Sequence, residues 1–360
     1  MLGLIVLALT MFMIFTLVKN ALMGKQLSQD DDYTGTISLI IPMTNRSEFY
    51  LDPWLQSLMG FRRLTENFHI HILIDGHHPA VVAWRELEEK LPYVQIHSFL
   101  HRPANANPTT WMIEQIAHEI KSQVVIIGDS ELVPSESALL SVSKFVDLKS
   151  RSYFVVPQTV RKTYLGESVA LLNPTLALVS VFGWRKFIRR FAYPLMSIAQ
   201  GWMAMPLETF KEIDFKRFDQ RSWKDAIARD WDFRNKKFAL AFGERHLRRH
   251  YPEVLKVQMA QLKIYWEELW AGGDRHGFWL FVLALFIWSF PLLFIWSHPF
   301  WSLASIFLLT LYRFFSKIIF QESWFGIMLH PFGCLIWIAT LLIWALEGVK
   351  TRYVSTPMRR

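Results

Sequence analysis

The sequence predicts an α/β protein with a parallel sheet in its middle and apolar helices at both ends. Three observations carry this prediction. Over residues 36–127, β-branched runs alternate with stretches of helical apolar spacing. Strands alternating with helices of that size imply βαβ units and a parallel sheet. Long uncharged apolar segments lie near both termini. Polar residues follow three of the expected strands, and in parallel sheets ligands bind at the carboxyl ends of the strands.

Leu2 to Val18 is apolar and is bounded by Lys19. No basic stretch precedes it and no small-x-small cleavage site follows it, so it predicts a retained anchor and not a cleaved signal. Thr36 to Ile41 is the first strand, stopped by Pro42, with Asn45 and Glu48 beyond it. Leu51 to Leu64 carries apolar residues at helical spacing. Phe68 to Ile74 is the second strand and meets Asp75-Gly76. Val81 to Leu91 is a helix, Val94 to Phe99 a strand, and Thr109 to Lys121 an amphipathic helix. Val124 to Ile127 is an apolar strand that runs into Gly128-Asp129-Ser130-Glu131.

Acids at i and i+2 after a strand place both side chains at one sheet edge. Asp129 and Glu131 there suit a divalent cation (Mg2+ or Mn2+), a hard ion that takes oxygen ligands and holds diphosphates. Each motif has a plainer alternative. Asp75-Gly76 suits a turn. Asp129-Ser130-Glu131 suits a helix cap ahead of Pro134-Ser135-Glu136-Ser137.

Beyond residue 150 the pattern is less regular. Tyr153 to Pro157 is a further strand, and Trp184 to Tyr193 a basic aromatic helix suited to a membrane surface. Trp223 to Lys237 is a helix carrying Asp225, Asp230 and Asp232, with at least two of these acids expected on a solvated face. Phe238 to Phe242 is a short strand, and Val254 to Trp270 a long amphipathic helix with Gln258, Gln261, Tyr265, Trp266 and Trp270. Trp266 and Trp270 also suit interfacial anchors.

A spanning helix needs about 20 apolar residues. Gly277 to Trp296 and Phe325 to Leu346 reach that length, as does the first segment. Trp301 to Tyr312 is shorter and is followed by Arg313 and Lys317, so three spans are expected and this one is not counted. The net charge is +8, concentrated in clusters such as Arg185, Lys186, Arg189 and Arg190 between the first two segments. Basic segments stay cytoplasmic more often than not, which predicts an inner-membrane protein with its N-terminus outside and residues 19–275 in the cytoplasm. The basic tail with Lys350, Arg352, Arg359 and Arg360 is placed there too. No nucleic-acid-binding motif accompanies the charge, so nucleic acid is not an expected partner. An anionic lipid surface is.

The single cysteine, Cys334, excludes an intrachain disulfide and a cysteine-based zinc site. His69, His71, His77 and His78 lack a third-ligand pattern for a metal. Asn45-Arg46-Ser47 matches a glycosylation sequon that a cytoplasmic placement makes irrelevant.

Together these motifs resemble the membrane-anchored, family-2-type glycosyltransferases of the GT-A (Rossmann-like) fold, and most nearly the ceramide, hopanoid and carotenoid glucosyltransferase-like group. The likeness covers nearly the whole chain. Ile40-Ile41-Pro42-Met43-Thr44-Asn45 is similar to the family's opening strand, with Arg46 in place of the Glu that follows Asn and Glu48 two residues late. Asp75 matches the second family acid, and Asp129-Ser130-Glu131 the Asp-x-Asp, with Glu in the last place. Arg102 to Asn107 resembles the family's Lys-x-x-Ala-Leu-Asn segment. Gln261 to Trp266 is similar to Gln-x-x-Arg-Trp but lacks the Arg and has an offset Trp. Gly348 to Tyr353 resembles the closing Trp-x-Gly-Arg-x-Tyr.

The resemblance implies a nucleotide-sugar domain over 34–245, an acceptor helix over 246–275, membrane helices over 276–347 and a tail over 348–360. It implies a UDP-sugar donor, with glucose favoured, a membrane-lipid acceptor and inversion at the anomeric carbon. Pro42, Asn45, Glu48, Asp75 and Asn107 would contact the donor, and Gln261 and Trp266 the acceptor. The family's base opens a helix before a short strand. Asp225 fits by its distance from Phe238, and Asp230 fits as an acid followed by an aromatic. A polysaccharide synthase, or a non-catalytic membrane protein that binds nucleotide or lipid, are the alternative functions. The departures at Arg46, Glu131 and the Gln261 motif motivate the second.

Overall fold

In the computed structural model, the alternating segments of residues 36–127 form one half of an eight-stranded sheet. The structure describes residues 2–28, 32–43, 51–61, 67–76, 81–103, 105–130, 132–160, 174–181, 186–243, 247–250, 259, 262–263, 266, 270, 275–320, 324 and 328–354. Asn45, Glu48, Glu131 and Gln261 lie outside the described residues, as do His77 and His78.

The strands are β1 (Lys25–Gln26), β2 (Ile37–Pro42), β3 (Phe68–Asp75), β4 (Val94–Phe99), β5 (Val124–Ile127), β6 (Leu132–Pro134), β7 (Ser152–Val156), β8 (Gln158–Val160), β9 (Trp202–Pro206), β10 (Phe238–Phe242) and β11 (Leu247–His250). The main sheet runs β1-β10-β7-β9-β5-β2-β3-β4, and β6, β11 and β8 form a second, small sheet. Within the main sheet β9 is antiparallel to both β5 and β7, and the other pairings are parallel. The chain moves outward from β2 to β3 and β4, then returns to the other side of β2 as β5. That reversal makes the crevice beyond the carboxyl ends of β2 and β5 the switch point, where open α/β sheets bind ligands.

β2 is buried along its whole length, and its side chains divide by parity, as the two-residue period of a strand requires. Ile37, Leu39 and Ile41 pack with Trp54 and Leu58 of α2 (Leu51–Met59), Trp84 and Leu87 of α3 (Val81–Lys90), and Leu139 and Val142 of α5 (Glu136–Lys149). Ile40 joins the opposite core. That core holds Met112 and Ile113 of α4 (Pro108–Ile116), Leu178 of α6 (Pro174–Val181), Met196 of α7 (Lys186–Ile198) and Ile227 of α9 (Trp223–Phe233), with α8 (Leu207–Lys211) at its edge.

The same core continues into the apolar helices α1 (Leu2–Met23), α10 (Arg275–Leu293), α11 (Pro299–Phe320) and α12 (His330–Val354). Among the described residues two helices are long and apolar enough to cross a membrane, Leu2–Leu22 and Arg275–Leu293. The third expected segment contributes Phe332–Glu347, which is shorter, so three spans are not reached by length and composition among the described residues. The segment left uncounted, Trp301 to Tyr312, is part of the 22-residue helix α11.

Element ends depart from expectation where local chemistry intervenes. The helix expected to Lys121 ends at Ile116 and gives way to a turn. The helix expected to Lys237 ends at Phe233, because Asn235 turns left-handed at φ 56. β9 falls in the stretch where no regular element is expected.

Candidate active site

The carboxyl end of β5 is the centre of the candidate site. Gly128 follows the strand, and a Cβ there would lie 2.6 Å from Trp202 Nε1, so only glycine lets the start of β9 pack this closely. Gly128 N–H donates to Ile40 O at 3.0 Å, extending the β2–β5 ladder by one residue. Trp54 Nε1 donates to Ser130 O at 2.9 Å, tying α2 to the same turn.

The helix-cap alternative for Asp129 is excluded. β6 intervenes, and Ser135 caps α5 by accepting from Ala138 N–H. Asp129 is instead an ion-pair partner. Its Oδ2 accepts from Lys224 Nζ at 2.6 Å and from the Gly201 N–H at 3.2 Å. Lys224 Nζ also donates to Ala199 O at 2.9 Å. Both side chains are largely buried, at 13% and 17% exposure.

Lys224 lies in the first turn of α9, which Ser222 caps. Asp225 is next to it and is 1% exposed. Its oxygens accept from Arg221 Nη1 at 2.7 Å and from Arg229 Nε at 2.9 and 3.1 Å. Asp230 is also buried, paired with Arg234 Nε at 3.0 Å. Of the three acids on this helix, only Asp232 lies on a solvated face. The expectation that at least two would do so is wrong, because i, i+4 arginines make burial of the other two possible.

Asp75 ends β3 and is exposed at the same carboxyl edge, with Gly76 N–H bonded to Phe99 O. Pro42 closes β2 there and is buried. Asn107 caps α4: its Oδ1 accepts from Thr109 N–H at 3.1 Å and Thr109 Oγ1 at 2.8 Å, so helix capping occupies the side-chain carbonyl. Trp266 is fully buried. It packs on Phe278, Phe281 and Trp337, and its Nε1 donates to Thr340 Oγ1 at 3.3 Å, which joins α10 to α12. It wedges helices together and lines no described cavity.

A cavity of about 590 Å³ opens between α7, α9 and α10. Its polar end carries Arg229, Asp232, Arg275 and His276, and its apolar wall Trp279, Leu280 and Leu283. Gly277 permits this geometry, since any Cβ there would collide with Pro194 O of α7. Arg229 belongs to both sites: it lines the cavity and holds Asp225.

The sequence points to a divalent cation at this strand end. Of the two residues expected to hold it, Asp129 is described and Glu131 lies outside the described residues. Among the described residues no group of three His, Cys, Asp or Glu side chains could hold a metal ion. One Asp129 oxygen, Oδ2, carries the Lys224 ammonium.

No family model matches the chain. No curated protein matches it in sequence. Among solved structures it is similar to a mannosyltransferase, PcManGT from Pyrobaculum calidifontis, in complex with GDP-Man and Mn2+. That likeness has 12% identity over 95% of this chain and 98% of the other, with a TM-score of 0.47. It is also similar to S. aureus TarS 1-349, at 13% identity over 90% of this chain and 93% of the other, with a TM-score of 0.43. With TarS 1-349 bound to UDP-GlcNAc the values are 14%, 79%, 81% and 0.38.

Sequence reasoning missed Lys224, Arg221, Arg229 and the Ala199–Gly201 turn. Lys224 and Asp129 are 95 residues apart, and no local pattern marks such a pair.

Proposed function

We propose that the chain is an inverting glycosyltransferase that moves a sugar from a nucleotide diphosphate sugar to a membrane-lipid hydroxyl. A UDP-sugar, with glucose favoured, is the proposed donor. One observation supports this most: the Lys224–Asp129 pair brings the first turn of α9, with Asp225, to the carboxyl edge of the sheet at its switch point. A donor laid across that edge would meet Asp75 and the ends of β2 and β5. Asp230 lies farther along the helix and has no such tie.

The acceptor is assigned to the cavity beside α10. Its apolar wall suits an acyl chain, its polar end suits a headgroup, and it adjoins a helix apolar enough to enter a bilayer. Asp225 is the proposed base. Arg229 stands between it and the cavity, so an entering hydroxyl would displace that guanidinium to reach the carboxylate. General-base help of this kind is worth roughly 10²–10⁴-fold. The orientation proposed is N-terminus out with the sheet in the cytoplasm.

A second reading has its own support. The enclosure of Asp225 by two guanidinium groups also suits a protein that binds nucleotide or lipid without turnover. Purified full-length protein in detergent, incubated with UDP- and GDP-sugars and a lipid extract, decides between them. Mass spectrometry is expected to find a lipid one hexose heavier. Nucleotide binding with no transfer from any donor would favour the second reading.

A further inference from the structure

We infer that Lys224 supplies the positive charge which holds the donor diphosphate in this protein, in place of a carboxylate-bound divalent cation. The inference rests on the transferase reading and specifies how its donor site works.

The ammonium sits where the sequence motif would put a cation. It is 2.6 Å from Asp129 Oδ2, at the end of the central strand β5 and beside the switch point. It is fixed there. Ala199 O accepts from it at 2.9 Å, and the Asp129 oxygen is itself held by the Gly201 N–H at 3.2 Å. An ammonium has three donors, and these two acceptors leave one for a phosphate oxygen. Partial burial strengthens such a bond, because water screens it less.

Among the described residues in ion pairs about the first turn of α9, the cations Arg221, Lys224 and Arg229 meet the carboxylates Asp129 and Asp225. The helix amino end adds partial positive charge from its unpaired N–H groups.

In the step itself, the bond from the anomeric carbon to the diphosphate oxygen breaks and its electron pair stays on the diphosphate. The acceptor oxygen forms the new bond to carbon, and its proton passes to the carboxylate base. Lys224 donates a hydrogen bond to the leaving oxygens and keeps its proton. Preorganised donors aimed at developing charge are a large source of rate enhancement. Asp129 then acts as a positioning residue for the lysine.

The test is calorimetric titration of full-length protein in detergent with UDP and with GDP. Each titration is run in EDTA and again with Mn2+ or Mg2+, for the wild type, Lys224→Met and Lys224→Arg. The wild type is expected to bind one of the two in EDTA, with affinity changing less than about threefold when metal is added. Lys224→Met is expected to weaken binding about tenfold or more, the loss of one charge-assisted hydrogen bond, while Lys224→Arg stays within a few fold. If Lys224→Met does not fold, the wild-type titration and Lys224→Arg decide. Binding that requires metal, or that is as tight in Lys224→Met as in the wild type, overturns the inference and leaves the transferase reading standing. No nucleoside diphosphate bound under any condition overturns both.

Discussion

The two ends of one sheet hold polar clusters of opposite kinds. At the amino end, Ser38 Oγ lies 2.8 Å from Ser122 Oγ and 3.4 Å from His71 Nε2, and His71 Nδ1 lies 3.1 Å from His97 Nε2. Burial pushes the His71 pKa down to about 3, with the His97 and His69 imidazoles acting in the same direction. Burial also lowers that of His97, against the pull of Glu119 and Glu88. This cluster links β2, β3, β4 and Ser122 ahead of β5, and it lines a cavity of about 260 Å³ with Glu119 and Lys121.

At the carboxyl end, Asp129 is met by Lys224 from a helix far along the chain. The helix brings a second acid, Asp225, and an arginine that reaches a cavity. We propose that the first cluster serves stability and that the second, whose charges converge from separate elements at the strand-end crevice, serves the proposed transfer.

Substitutions should separate the two ends. The largest effect is expected for Asp129→Asn, which releases Lys224 and should lower turnover by about 10³-fold, the upper range for losing a preorganised electrostatic group. His71→Asn should leave turnover per folded molecule within about twofold, since the amino-end cluster faces no reacting group. Equal losses in steady-state assays of the two variants would break the contrast.

Asp225→Asn is expected to lower turnover by roughly 10²–10⁴-fold while leaving nucleotide affinity within a few fold. Asp230→Asn should change turnover little. The opposite result would transfer the base assignment to Asp230.

Gly277→Val should act on the cavity alone. Its side chain would collide with Pro194 and force α10 off α7, so the KM for lipid should rise about tenfold with donor affinity unchanged. A rise in donor KM instead would detach the cavity from the acceptor.

The smallest effect concerns pH. His71 has a folded pKa near 3, below its ordinary 6.5, so between those values the unfolded chain binds the proton and the folded one does not. Its contribution is complete above about pH 6.5 and is lost as pH falls toward 3, with a slope of up to about 1.4 kcal/mol per pH unit. Chemical denaturation across this window should show that slope in the wild type and a flatter one in His71→Asn. A wild-type stability that rises on acidification would contradict the assignment.

Much of the fold is legible in the sequence because its parallel strands are continuous apolar runs with clear stops. The stops at Pro42, Asp75 and Gly128 mark the strand ends to within one residue, with β2 and β3 running on to include Pro42 and Asp75. β9 is not legible. Trp-Met-Ala-Met-Pro has no β-branched residue, and burial of its first four residues removes the alternation that marks a half-exposed strand. The site divides in the same way. Asp75 and Asp129 are visible as strand-end acids, since local order determines them. The partner of Asp129, the enclosure of Asp225 and the burial of Trp266 depend on packing between distant helices, which no local window records.

The most direct test of the account is sugar transfer itself. Wild-type and Asp129→Asn protein, purified in detergent and shown by circular dichroism to be equally folded, are incubated with radiolabelled UDP- and GDP-sugars and a lipid extract. The account predicts a labelled glycolipid from the wild type and about a thousandfold less from Asp129→Asn. No transfer by the wild type from any donor, or equal transfer by both proteins, would contradict it.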